Sequence, residues 1–164
     1  IVAFLELESN ELIEGLATIT VKDNLQKAWG VEAGDIIDAA LDNIKGDITL
    51  NSMGDYIDLS MFEADENLID MYIVTNRLKL HGAVAMLQKD RLKEFADNLK
   101  VDTLTIIPSS VHECIIISDK DAQKDTEELR KMVREVNETV VSEYEILSNN
   151  VYMYCRATDE IKIA

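Results

Sequence analysis

The sequence predicts an α+β fold whose predominantly antiparallel sheet is built from strand pairs alternating with amphipathic helices, the helices forming a single layer on one face. Three observations predict it. Short β-branched runs come in neighbouring pairs whose connections are too short for a parallel crossover, which takes roughly a dozen residues or more. Between the pairs lie segments whose apolar residues recur at helical spacing. The chain has 164 residues, 47% of them hydrophobic, and a single proline. That is enough apolar material for one compact domain over residues 1–164, and it excludes disorder.

Ile1 to Leu7 and Leu16 to Thr20 read as a first strand pair around the polar stretch Glu8 to Gly15. Thr20, with Asp23 three residues on, resembles a capping box opening a short helix. Leu25, Ala28 and Trp29 share one face of it, and Gly30 stands where a C-terminal cap belongs. Trp29 is expected to close the core from the helix end rather than to anchor a partner. Glu32 to Lys45 places Ile36, Ile37, Ala40, Leu41 and Ile44 on a second helical face and stops at Gly46. Asp47 to Asp70 reads as a connecting loop with local structure.

From Met71 the pattern is regular. MYIVT (71 to 75) and AVAML (83 to 87) read as a second pair joined by Asn76 to Gly82. Asp90 is then expected to cap a helix that turns Leu92, Phe95, Ala96 and Leu99 inward. TLTIIP (103 to 108) and ECIIIS (113 to 118) pair around SSVH. A long helix from Asp125 to Val141 follows, with Leu129, Met132, Val133, Val136 and Val140 as its apolar stripe. Glu127 with Lys131 and Arg134 with Glu138 are i,i+4 pairs on its outer face. VYMYC (151 to 155) and EIKIA (160 to 164) close the chain as a last pair turned at Ala157 to Asp159.

The charge balance excludes several functions. With 32 acidic against 16 basic residues the formal charge is −16. Such a surface repels phosphate backbones, so direct nucleic-acid binding is not expected, whereas a basic protein partner is. No apolar stretch approaches the roughly 18 residues a membrane span needs. Cys114 and Cys155 lie in strand-like runs and are expected to be free, reduced thiols. The opening IVAFLELE has neither a basic n-region nor a long apolar h-region, and it begins in a strand without methionine. A cytoplasmic chain forming the C-terminal part of a longer protein is the expectation.

IIPSSVHE (106 to 113) is the segment that holds serine, histidine and carboxylate close together. A hydrolase-type reading makes Ser109 or Ser110 the nucleophile, His112 the base and Glu113 its orienter. Strand geometry opposes it, because neighbouring residues point to opposite faces, and no G-x-S-x-G elbow exposes a serine. Pro108 followed by two serines is instead good turn chemistry. On that reading, replacing either serine by alanine costs about 1 kcal/mol. His81 and His112 are lone histidines and neither cysteine belongs to a C-x-x-C pair, so no metal is expected. Glu63, Asp65, Glu66 and Asp70 lack the order of a calcium loop and read as a solvated acidic loop. Glycines are too sparse for a phosphate cradle, so no cofactor is expected either.

MYIVTN (71 to 76), GAVAML (82 to 87), LKEFAD (92 to 97), IIPSSVHE (106 to 113), MVREVNETVV (132 to 141) and LSNNVYMYCR (147 to 156), in this order and spacing, resemble a family of proteins from gut Gram-positive bacteria, domain of unknown function 5688. ATITVKDNLQKAWGVEAGDIIDAALDNI (17 to 44) extends the resemblance, while Asp47 to Asp70 departs from it. A weaker likeness, over residues 28 to 44 and after Pro108, points to a second family, domain of unknown function 1444. The resemblance implies a bacterial, cytoplasmic protein with a longer N-terminus and brings no catalytic residue, substrate or cofactor. The matching positions Asn76, Pro108, Ser109, Ser110, His112, Glu113 and Asn137 are candidates for a shared structural or binding role. The function expected is therefore a non-enzymatic acidic interaction or regulatory module. A hydrolase using the Ser109 to Glu113 corner and an acidic mimic of nucleic acid are the alternatives.

Overall fold

A computed structural model describes residues 3–7, 17–55, 71–118 and 125–164. The chain divides into two compact units, Ile1–Gly46 and Asp47–Ala164.

In the first unit β1 (Phe4–Leu7) pairs antiparallel with β2 (Ala17–Thr20), from Phe4 opposite Thr20 to Leu7 opposite Ala17. Thr20 is thus still held in the ladder and is not the cap of α1 (Asp23–Trp29). The cap position falls to Lys22, whose side chain makes no capping bond. Gly30 ends α1 at φ 66°, its N–H donating to the Gln26 and Lys27 carbonyls, a conformation glycine adopts without steric cost. In α2 (Ala33–Asn43) and the 3-10 turn Ile44–Gly46, the expected face of Ile36, Ile37, Ala40, Leu41 and Ile44 is half-buried. Trp29 is 44% exposed and does not close a core as expected.

The second unit is a six-stranded antiparallel sheet of β3 (Ile48–Ser52), β4 (Met71–Asn76), β5 (Thr103–Pro108), β6 (Cys114–Ser118), β7 (Tyr152–Cys155) and β8 (Glu160–Ile163), in the order β3-β4-β6-β5-β7-β8. The α+β class and the antiparallel sheet agree with the sequence reading. The helix layer does not. Residues of alternating parity on one strand face opposite sides of a sheet. On one side Val74, Leu104, Ile106, Cys114, Ile116 and Tyr154 meet Leu92 and Ala96 of α3 (Lys89–Leu99). On the other, Ile107, Ile117 and Val151 meet Leu129 and Val133 of α4 (Thr126–Thr139). Both faces are covered because β5 and β6 are apolar at odd and even positions alike, which leaves neither face able to stay in water. Each such side chain fully buried is worth roughly 1.5–3 kcal/mol.

Two element assignments change. AVAML is no strand: Gly82–Leu87 is a 3-10 helix with Gly82, Ala83, Ala85 and Met86 buried. β4 already has β3 and β6 on its two edges, so no ladder position is left for it. β3 arises inside the segment read as a loop, since ITLNS is short and partly polar and finds its partner in β4 across the chain. Asp90 sits in the first turn of α3, where its charge suits the helix dipole, but Gln88 holds the cap position. The helix expected from Asp125 to Val141 is α4, and Asp125 stands outside it as the cap, accepting from the Glu127 N–H at 3.0 Å. The stripe of α4 differs from the expected one: Leu129, Val133 and Asn137 are buried, whereas Met132, Val136 and Val140 are exposed.

Candidate functional site

The candidate residues converge at the end of the sheet where β4 stops and β5 turns into β6. Ser109 and Ser110 both donate their backbone N–H to the Glu113 carbonyl, at 3.3 and 3.2 Å, closing the turn around Val111 and His112. Inside it the Ser110 hydroxyl oxygen accepts from the His112 N–H at 3.0 Å, a serine turn of the kind that competes with regular structure. Pro108 is the last residue of β5 and lies opposite Cys114, a strand end where its missing N–H costs nothing.

Three other segments are laced onto this turn. From β4, the Thr75 hydroxyl donates to the His112 carbonyl at 2.7 Å, and Thr75 itself is buried. From the β4 exit, Asn76 brackets its own turn, donating through Nδ2 to the Leu80 carbonyl at 2.9 Å and accepting the Leu80 N–H at 3.1 Å. His81, in the left-handed region at φ 54°, donates its backbone N–H to His112 Nδ1 at 3.0 Å, and Ala83 N–H reaches the Val111 carbonyl at 3.2 Å. From the 3-10 turn Glu143–Glu145, the Glu145 carbonyl accepts the Val111 N–H at 2.8 Å and the Glu145 carboxylate stands 3.5 Å from His112 Nε2. At the centre sits Gly82. A Cβ there would collide with Thr75 Oγ1 and lie 2.6 Å from the Asn76 nitrogen and 2.7 Å from the His112 carbonyl oxygen.

These contacts fix what His112 can do. Because Nδ1 accepts a backbone N–H, the ring proton of the neutral imidazole sits on Nε2 and faces the Glu145 carboxylate. A serine-activating base needs one ring nitrogen open toward the hydroxyl. Here one nitrogen is capped by His81 and the other is turned to Glu145, while Ser110 Oγ is occupied by the His112 main chain. Glu113, expected as orienter, contributes its carbonyl to the turn, and the carboxylate beside the ring is Glu145. Glu145 lies 33 positions beyond His112 and no local spacing announces it.

Asn137 lies apart from the corner, buried on α4. Its Nδ2 donates to the Ser148 carbonyl at 3.1 Å and to Asn149 Oδ1 at 2.7 Å, and Ser148 Oγ is 3.0 Å from the Tyr152 hydroxyl. It ties the helix to the segment that leads into β7.

The thiols are free and differ in character. Cys114 is buried beside Met86 Sδ (3.7 Å) and the Ala83 carbonyl (3.8 Å), and burial, aided by the Glu113 charge, pushes it up to about 12. Cys155 is half-buried, and hydrogen bonds from the Thr158 main chain and side chain and from the Ala157 main chain hold its thiol below the ordinary range. They lie on opposite sides of the sheet, since Cys114 shares the side of Leu104 and Cys155 pairs with Thr103. That excludes a disulfide between them.

Among the described residues no three His, Cys, Asp or Glu side chains converge to hold a metal, and no helix is long and apolar enough to cross a membrane. Glu63, Asp65, Glu66 and the loop around them lie outside the described residues, as does Asp70. A cavity of about 330 Å³ lined by Leu87, Lys89, Glu160, Ile161 and Lys162 lies by β8, and its Lys162 and Glu160 are paired at 2.7 Å.

Comparison with curated proteins and with solved structures finds no match. A protein-family model matches residues 1–156, nearly the whole chain, including every segment that builds the corner and the Asn137 tie. The chain therefore belongs to the family of unknown function DUF5688.

Proposed function

We propose that the chain is a non-enzymatic, acidic interaction or regulatory module of a bacterial cytoplasmic protein, and that its partner is basic. The observation that carries this reading is the occupation of the Ser109 to Glu113 corner. Ser110 Oγ and His112 Nδ1 each accept a backbone N–H, as a turn requires, and with Nδ1 taken and the ring proton on Nε2 the neutral imidazole has no open nitrogen with which to take a serine proton. The charge of −16 then favours association with a cationic surface and disfavours phosphate backbones and anionic lipid.

The test has two arms. A serine-directed fluorophosphonate is expected to leave the chain unlabelled; stoichiometric labelling lost in His112→Ala would establish the hydrolase reading instead. In the second arm, affinity for a synthetic polycationic peptide is measured at low and high ionic strength, and it is expected to fall steeply as salt screens the acidic surface. A chain that binds no cationic peptide at low ionic strength carries its acidity for solubility alone, and the interaction reading fails.

A further inference from the structure

Resting on that reading, the structure also points to where the partner binds. Along α4 the residues Met132, Val136 and Val140 follow one another at i,i+4 spacing and are 43%, 40% and 78% exposed. The chain leaving the helix adds Leu147 and Tyr144, the latter 92% exposed. This is a line of large apolar side chains beside the buried stripe of Leu129, Val133 and Asn137, and it leaves a large part of its area exposed. It spans two helical turns, about 12 Å at 1.5 Å per residue.

The charges beside it select the occupant. On a helix the neighbours of a residue are those three and four positions away. For Met132 and Val136 the charged residues at those positions are Glu128 and Glu135, and beyond the helix end Glu143 precedes Tyr144. The cations of α4, Arg130, Lys131 and Arg134, occupy none of these positions. A second copy of the chain would set Glu128, Glu135 and Glu143 against their own equivalents and bring two charges of −16 together. Nucleic acid and anionic lipid meet the same repulsion. We propose that Met132, Val136, Val140 and Tyr144 form a docking surface for a basic amphipathic helix of another protein, whose apolar face lies along the stripe and whose Lys and Arg side chains meet Glu128, Glu135 and Glu143.

The polar corner then has a place in the same scheme. The Val111 N–H holds the Glu145 carbonyl and His112 faces the Glu145 carboxylate, so the β5–β6 turn braces the 3-10 turn that presents Tyr144. Ser110 and His112 are positioning residues for this surface.

The experiment uses the full chain and two fluorescent synthetic peptides of identical Leu and Lys composition, one patterned as an amphipathic helix and one scrambled. Anisotropy titration at low ionic strength is expected to favour the patterned peptide by about tenfold. Val140→Ser and Tyr144→Ser should each weaken it by about tenfold with Tm unchanged, because both residues are exposed, and Glu135→Lys should weaken it while flattening its salt dependence. His112→Ala should weaken the patterned peptide and leave the scrambled one unaffected. Equal binding of both peptides, or patterned binding untouched by the stripe variants, overturns the docking surface and leaves the acidic module standing. Absence of binding by either peptide overturns the module itself. Self-association of the chain that Tyr144→Ser abolishes makes a second copy the occupant, and a Tm that falls by many degrees in Val140→Ser places a cover within the chain. Both results overturn the proposal.

Discussion

The β5–β6 corner is tied by the hydrogen bond from Val111 to Glu145 to the 3-10 turn that follows α4, yet the corner and the solvent face of α4 are chemical opposites. The corner is rich in groups that catalysis uses, namely serine, histidine and carboxylate, and its Ser110 hydroxyl and His112 ring are already engaged. The α4 face has neither serine nor histidine; its carboxylates, Glu128 and Glu135, flank Met132, Val136 and Val140, which are held out of any core. A buried polar group left unpaired costs about 1–3 kcal/mol, so polar residues collected at a strand end are satisfied within the fold first. What is left over for a partner is the surface the fold has not satisfied. On the corner that is little, and on α4 it is apolar area.

The largest effect expected is at Gly82, where the corner is tightest. Gly82→Ala drives a Cβ into Thr75, the Asn76 main chain and the His112 carbonyl, and two of those three are backbone atoms that cannot swing aside. A loss of about 3 kcal/mol is expected in urea unfolding, the upper range for overpacking. Unchanged stability would mean that the corner is loose, and the contrast with α4 would lose its basis. Asn137→Ala should come next. It leaves the Ser148 carbonyl and Asn149 without their donor in a buried setting, at about 2 kcal/mol. Val136→Ala, one position before it on the same helix, should change stability by less than about 0.5 kcal/mol, the usual range for a surface site. If the two substitutions cost the same, α4 is not divided as described.

That pair also marks how far the sequence could be read. Hydrophobicity assigned Val136 and Val140 to the core and overlooked Asn137, because periodicity reads chemical type, whereas burial is decided by which side of the helix meets Ile107 and Ile117. Hairpins whose partners are close in sequence, such as β5 with β6 and β7 with β8, were legible from their β-branched runs and turn residues. β3 was not. It pairs with a strand some twenty residues on, and the polar Asn51 and Ser52 disguise it. The candidate site followed the same rule: Pro108 to Glu113 could be picked out as a unit, but Thr75, His81, Gly82 and Glu145 reach it through topology.

A smaller effect separates the neighbouring serines. The sequence treats Ser109 and Ser110 alike, while in the structure the Ser110 hydroxyl accepts from His112 N–H and the Ser109 contribution to the turn is its backbone N–H, which alanine retains. Ser110→Ala should therefore cost about 1 kcal/mol and Ser109→Ala close to nothing. Thermal unfolding of the two variants decides it. Equal losses would show that the turn depends on both hydroxyls.

The last prediction leaves stability almost untouched and uses the two thiols as reporters of closed and open surface. Cys114 lies under the corner, opposite Pro108 in the sheet, and its thiol is pushed up to about 12 from an ordinary 9.0. Cys155 is partly accessible, and the Thr158 and Ala157 donors favour its thiolate. The thiolate attacks iodoacetamide and displaces iodide, so Cys155 should react promptly and approach its maximal rate at a lower pH than a free cysteine. Cys114 should react only through unfolding, at a rate that Gly82→Ala raises and Val136→Ala does not. The sign of the pH effect on folding follows from the same values. With its pKa raised in the native chain, Cys114 keeps a proton that the unfolded chain loses above about 9.0. Its contribution is complete below that pH and declines as pH rises toward about 12. For Cys155, whose pKa is lowered, the contribution runs the other way: it is present above the ordinary thiol pKa and fades as pH falls through the depressed one. Mass spectrometry of peptides after timed labelling distinguishes the two sites. Prompt alkylation of Cys114 in the native chain would mean that the corner opens as readily as the α4 surface, and the division between a satisfied region and an unsatisfied one would not hold.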